Sequence, residues 1–196
     1  VLPDIFYLSV ANTNNPTYSY SNVQVTKSGS EWVPEGTMYW QNSTTPVTVT
    51  AATFSLNGAQ NLEVKTDQST ADKVVASDHL YMAATPQTYA AANEKAEGAI
   101  NVNFSHLMSK VNLTITLANE FDAATNPISN VTFQGTVASR NYNAGTWTDI
   151  NGVTATDIKA YAVEYTKPTA TYEVILVPQT VTAGNFVVQF KIGGRQ

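Results

Sequence analysis

Cysteine is absent from the 196 residues, which rules out disulfides, thiol nucleophiles and thiolate metal sites. Charge is scarce as well. Only 13% of the chain is Asp, Glu, Lys or Arg, about half the usual share for a globular domain. Two arginines, Arg140 and Arg195, and a net charge of −5 leave no basic stripe to neutralise phosphates, so no nucleic-acid partner is expected. No apolar run approaches the roughly 18 residues a bilayer-spanning helix needs, and no transmembrane segment is expected in this chain. Long helix-forming runs are also missing. The best candidate, Tyr89 to Gly98, is short and reads equally well as a loop. The first residue is Val1 rather than Met, which reads as a mature or trimmed form with any signal peptide already removed.

What remains is rich in residues that suit sheets. There are 27 Thr, 21 Val, 18 Asn and ten Tyr; β-branched and aromatic residues fit a pleated surface, and Asn fits the turns between strands. Period-2 alternation marks strands at Ile5 to Val10, Ser21 to Thr26 and Val47 to Phe54, with another short one at His79 to Ala83. Asn12 to Pro16 and Asn57-Gly58 punctuate them. Between Asn101 and Ala118 the alternation changes phase. Val102, Phe104 and His106 share one face, whereas Val111, Leu113, Ile115 and Leu117 share the other parity. A single strand cannot keep its buried face across a one-residue slip, so a bulge or a crossover between sheets is required near Leu107 to Lys110.

Asn119 to Pro127 is polar and turn-rich, and it divides the chain into two expected β domains, 1–121 and 127–196. Beyond it, strands are predicted at Ser129 to Val137, Tyr142 to Asp149, Val153 to Tyr165, Thr171 to Val177 and Asn185 to Ile192. That is about five strands in about 70 residues, where a seven-strand sandwich uses about 100. The second domain is therefore expected to be short or truncated, with an open edge or a groove filled by a neighbouring molecule or an added segment. Most buried apolar residues are expected from the alternating strands, including Val111, Leu113, Ile115 and Leu117, and from Phe186, Val188, Phe190 and Ile192.

Candidate chemistry is sparse. His79 adjoins Asp78, but neighbours on a strand point to opposite faces, so adjacency makes no dyad. No nucleophile elbow, zinc-protease helix or phosphate-binding loop occurs. Asp149 to Gly152, with Asp157 further on, lacks the further oxygen ligands of a calcium loop, and a type I′ hairpin accounts for Asn151-Gly152 more simply. Trp32, Trp40 and Trp147 with the tyrosines suit a sugar-stacking platform, but aromatics on strands more often serve as core or cross-strand partners. No enzyme activity, metal or cofactor is expected.

The run from Val102 to Val111 contains Phe104, His106, Ser109 and Lys110 in the pattern Phe-x-His-x-x-Ser-Lys-hydrophobic, which resembles the signature of the fimbrillin-like family. Two flanking segments agree with it: Trp32 with Met38-Tyr39-Trp40 and the Val-Thr strand after them, and Val174 to Val181, which contains Pro178 and Gln179. The resemblance implies two transthyretin-like Greek-key β-sandwich domains. It implies a lipoprotein precursor exported to the outer surface of gut and oral Gram-negative bacteria, and a structural or accessory role in a fimbria. It also implies assembly by strand donation: proteolysis removes an amino-terminal strand and another subunit's terminal strand fills the gap. Other pilin subunits are then the expected partners, with a host or bacterial surface ligand for adhesion. The six motif residues are expected to be structural, with His106 partly buried and hydrogen-bonded near the crossover. No lipidation cysteine is visible, and the chain stops soon after the last strand, which leaves the donor segment unlocated. The rival expectation is a surface glycan-binding protein on the same fold, which requires two or three exposed Trp or Tyr on one flat face.

Overall fold

The computed structural model describes residues 3–89, 98–118 and 123–193; residues 90–97 of the helix-or-loop candidate and the first part of the proposed linker lie outside them. The strands are β1 Ile5–Ala11, β2 Tyr20–Ser28, β3 Glu31–Pro34, β4 Val47–Ala52, β5 Gln60–Glu63, β6 Leu80–Gln87, β7 Ser105–His106 and β8 Ser109–Thr116. They continue as β9 Ile128–Thr136, β10 Ser139–Asn143, β11 Thr146–Thr148, β12 Thr156–Lys159, β13 Tyr161–Thr166, β14 Thr169–Leu176 and β15 Val187–Ile192. Among the described residues one short α-helix, α1 Ala71–Val75, follows Thr70 with Asp72 in its first turn and Lys73 in its last. The protein is all-β, built from antiparallel sheets.

Two compact units form. Unit 1 comprises residues 1–60, 79–107 and 142–146, and unit 2 comprises 61–78, 108–141 and 147–196. The linker expected at Asn119 to Pro127 is not the boundary. β8 precedes it, yet pairs over its full length with β14 beyond it, from Ser109↔Leu176 to Thr116↔Thr169. Strand pairing is non-local, and composition shows where a chain turns, not which strand it returns to. From residue 127 onward there are seven strands rather than about five. The expected strand at Tyr142 to Asp149 is the β10–β11 hairpin, and Val153 to Tyr165 splits into β12 and β13 at the buried Ala160.

Unit 1 is organised on a six-stranded sheet in the order β3-β2-β1-β4-β6-β7. In β1 the even residues Phe6, Leu8 and Val10 are buried, and Val25, Val47, Val49, Ala51 and Met82 extend that face across the sheet. Trp32, Met38, Trp40, Ile100, Val102 and Phe104 pack over it. Residues 37–41 and 98–104 have no strand assignment, so much of this second layer is irregular chain. On the opposite face Phe54 stacks on Tyr81 at 6.4 Å, and Tyr142 meets both edge-on at 5.8 and 5.5 Å. Burial there pushes the Tyr142 hydroxyl above its ordinary pKa.

Asn12 ends β1. Its side-chain oxygen accepts from the N–H groups of Asn14 and Asn15, each at 3.0 Å, and its amide donates to Gln41 Oε1 at 3.0 Å. This buried Asx turn is what the Asn-rich punctuation of the sequence becomes. The β10–β11 hairpin turns on Ala144-Gly145, with φ of 45° and 96°, the paired positive values of a type I′ turn. Asn151-Gly152 is not such a hairpin. Only Gly152 has positive φ, and the turn connects strands of different sheets.

Unit 2 sandwiches two three-stranded sheets, β12-β9-β15 and β13-β14-β8. The central strands supply the core: Ile128, Val131 and Phe133 from β9, and Ala170, Tyr172, Val174 and Leu176 from β14. The Tyr172 hydroxyl joins the layers, donating to the Ile128 carbonyl at 3.1 Å and accepting from Asn126 at 2.8 Å. Of the residues named above for the core, only one is fully buried. Leu117 is buried, but Val111, Leu113, Ile115, Val188, Phe190 and Ile192 are half-buried because their strands lie at sheet edges, and Phe186, just before β15, is half-buried with them. The phase change at Leu107 to Lys110 is a crossover: β7 belongs to the six-stranded sheet of unit 1 and β8 to a sheet of unit 2.

Near α1, the Lys73 ammonium and the Ser69 amide hold the exposed Asp67 carboxyl well below its ordinary value of 3.8. A depressed carboxyl pKa contributes stability above the unfolded value, and that contribution is lost as pH falls below it. A carbon-detected NMR titration of Asp67 should therefore show no inflection near 3.8, only one at more acid pH. Titration in the ordinary range would show that the Lys73 contact does not persist in solution.

Candidate subunit interface

Unit 2 has two unlike flanks. On one, β12 and β13 are joined through Ala160 alone, so the edges of the two sheets adjoin. That flank is sealed from within. Lys159 donates its N–H to the Thr66 carbonyl at 2.7 Å, and its own carbonyl accepts from the Gln68 N–H at 2.9 Å, so residues 66–68 run along β12. The Gln68 side chain is wholly buried. Its Oε1 accepts from the Ile175 N–H at 2.8 Å, and its Nε2 donates to the Ile175 carbonyl at 2.7 Å and the Lys65 carbonyl at 3.0 Å. One side-chain amide thereby replaces a rung of the β-ladder where β13 has ended, and no buried backbone group of Ile175 is orphaned. In the sequence, Gln68 sits among Asp67, Ser69 and Thr70 and carries no signal of this role.

On the other flank β8 and β15 are terminal strands, with no further strand beside either among the described residues. Val111, Leu113 and Ile115 lie opposite Val174, Tyr172 and Ala170 on the inner face of their sheet. The β14 partners are 0%, 4% and 0% exposed, whereas the β8 residues stay half-buried. Across the flank, Val188 and Ile192 lie opposite the buried Phe133 and Ile128, and the Phe186 ring sits 5.9 Å from that of Phe133. Both inner faces are apolar and only partly covered. Each such surface left in water forfeits about 25 cal/mol per Å².

The motif residues do not converge on one site. Phe104 is half-buried and meets Phe6 edge-on at 5.4 Å. His106 is exposed rather than partly buried, because β7 is a two-residue strand at the edge of its sheet and the chain leaves it directly afterwards. Ser109 and Lys110 open β8, both exposed, and the Lys110 ammonium pairs with Glu173 on the outer face. The Pro178 carbonyl accepts from Arg140 Nη1 at 2.6 Å. Gln179 clamps Val137, accepting from its N–H at 2.9 Å and donating to its carbonyl at 3.2 Å.

The other candidates are accounted for separately. The Asp149 carboxylate pairs with Arg140 at 2.8 Å and that of Asp157 accepts from Gln134 at 2.9 Å; among the described residues no three acidic or histidine side chains converge as metal ligands. Trp32 and Trp40 donate their indole N–H groups to the carbonyls of Pro3 and Gly98, at 2.9 and 2.8 Å. Tyr39, at 66%, is the one exposed aromatic among the described residues, so they present no flat sugar-stacking platform. Beneath the irregular layer of unit 1 lies a hollow of about 660 Å³, lined by Phe6, Leu8, Val25, Trp32, Trp40 and Ile100 among others. With both indole N–H groups already bonded, its walls are mainly apolar. No described helix is long and apolar enough to cross a membrane.

Apolar strands lie at the sheet edges of unit 2, and among the described residues no metal-ligating side chains converge. The fimbrillin-like family model matches residues 4–196, and the chain belongs to the fimbrillin-like family. No curated protein sequence matches it. Among solved structures it is similar to a protein from Bacteroides uniformis described as a candidate cell adhesion protein, with a TM-score of 0.68 at 17% identity, covering 97% of this chain and 74% of that one. It is also similar to a fimbrial protein from Bacteroides ovatus, with a TM-score of 0.54 at 16% identity, covering 98% of this chain but 39% of that one. A third is the fimbrial anchor protein Mfa2 from Porphyromonas gingivalis, with a TM-score of 0.42 at 11% identity over 97% of this chain and 70% of that one. At these identities the structural likeness concerns the fold.

Proposed function

We propose that the protein is a structural or accessory subunit of a bacterial surface fimbria, held in the fibre by a strand donated from another subunit and contributing to adhesion. The observation that carries this reading is the contrast between the flanks of unit 2. The β12–β13 side is closed by Gln68 and residues 66–68, whereas the β8–β15 side leaves apolar inner faces half exposed beside two terminal strands. An extended segment laid there would gain main-chain hydrogen bonds along an edge and side-chain burial between the sheets, the two components of strand-addition binding. The hollow of unit 1 is a second place where added chain would complete an apolar layer. The family match and the fimbrial and adhesion proteins of like fold agree with this role, and the working site is the outer surface of the cell, where a lipid-anchored precursor would deliver it.

Because a ligand that binds only the folded state stabilises it in proportion to RT ln(1 + [L]/Kd), the test is thermal. A strand peptide from a partner subunit should raise the melting temperature, by several degrees at a hundredfold excess over Kd. An unchanged melting temperature at saturating peptide would exclude assembly through this chain's open edges.

A further inference from the structure

We propose that the donated strand pairs with the free edge of β8, through the backbone groups of Lys110, Asn112, Thr114 and Thr116, and not with the edge of β15; this rests on the strand-donation reading above. The direction of those groups follows from Gln68. The N–H and C=O of Ile175 are bonded to the Gln68 amide, on the side of β14 away from β8. In an extended strand both main-chain groups of a residue point to the same side and alternate along the chain. The even residues of β14 therefore bond to β8. Their partners are the odd residues, Leu176↔Ser109, Val174↔Val111, Tyr172↔Leu113 and Ala170↔Ile115. The Leu117 N–H, donated to the Pro168 carbonyl at 2.9 Å, keeps the same parity. The even residues Lys110, Asn112, Thr114 and Thr116 are left with N–H and C=O directed away from β14, four consecutive rungs that no described strand fills.

Among the described sheet edges, that of β8 stands apart. Exposed edges are normally blunted by shortness, proline, bulges, inward charge or a covering segment. β3 has four residues and ends in Pro34; β7 has two, β11 three and β5 four. β13 carries a register irregularity between Ala162 and Glu164, and β12 is covered by residues 66–68. β15 has six residues, and its pairing with β9 is broken by a register shift between Gln189 and Lys191. β8 has eight residues in unbroken register, without proline, glycine or an inward charge. Its one charged side chain, Lys110, is drawn across the outer face to Glu173.

The same geometry describes the partner. It is an extended segment of another subunit, seven or eight residues long, with apolar residues at alternate positions. Those side chains enter the flank beside Val111, Leu113 and Ile115 and face Phe186 and, from β15, Val188 and Phe190. Polar residues on its other face continue the solvent row of Asn112, Thr114 and Thr116.

The test uses the full chain and a ten-residue peptide in which four threonines alternate with four valines between terminal lysines. A control peptide of the same composition has its valines in adjacent pairs. Backbone amide exchange is followed by NMR, and melting is followed in parallel. With saturating alternating peptide, exchange of Asn112, Thr114 and Thr116 should slow at least tenfold, with Val188, Phe190 and Ile192 unchanged and the control inert. Protection of β15 without β8, or a raised melting temperature with no protection on either strand, would overturn the β8 assignment while leaving strand donation standing. Neither protection nor a melting shift would remove the strand-donation reading together with this one.

Discussion

Replacing Gln68 with alanine should cost about 3–5 kcal/mol of stability. The side chain is wholly buried and fills both main-chain groups of Ile175. Its removal leaves a buried donor and a buried acceptor unpaired, at roughly 1–3 kcal/mol each, and opens a void lined by β14 and residues 65–68 that adds about 24 cal/mol per Å³. Gln68→Leu separates the contributions, because it restores most of the volume and none of the hydrogen bonds. Both variants are compared with the parent by urea denaturation at an unchanged m-value. If the hydrogen bonds dominate, leucine should be nearly as damaging as alanine. A loss below about 1 kcal/mol for both, less than one orphaned buried group costs, would mean that the 66–68 segment does not seal β14 as described.

The second large effect is expected at Gly135. Its φ is +80°, and a Cβ built there would lie 1.8 Å from the carbonyl oxygen of Asn185 and 3.2 Å from the Phe186 nitrogen. Gly135→Ala must displace backbone, not a flexible side chain, and the backbone concerned leads into β15. The expected loss is more than about 3 kcal/mol, beyond the 1–3 kcal/mol of a left-handed non-glycine residue alone, with accelerated amide exchange across Val187 to Ile192. Gly152→Ala is the matched control: its φ is +82° and nothing lies within 4 Å of the added carbon. It should cost only the backbone term. Equal losses at the two positions would show that the Asn185 contact relaxes freely.

Much of the local structure was legible beforehand for one physical reason: a strand with one covered face writes its period into the sequence. Ile5 to Val10 alternates because Phe6, Leu8 and Val10 face the core, and the parity break before Val111 is the passage of the chain from one sheet to another. The Phe104-to-Lys110 signature likewise pointed to the family that the whole-chain match establishes. The turn signals were less faithful. Asn151-Gly152 looked like a type I′ hairpin, but Ala144-Gly145 forms one, since neighbouring strands pull even alanine to positive φ when their pairing requires it.

What the sequence by itself determined is an all-β protein of alternating strands, poor in charge and without cysteine. Tertiary structure decided which strands meet. β8 lies before the apparent linker and joins β14 far beyond it, because hydrogen bonds between strands depend on their meeting in space and leave no local trace in composition. It also decided which edges are filled. Gln68 is a polar residue in a loop until folding brings it to Ile175, and β8 is one alternating strand among several until every other edge is shortened, broken or covered.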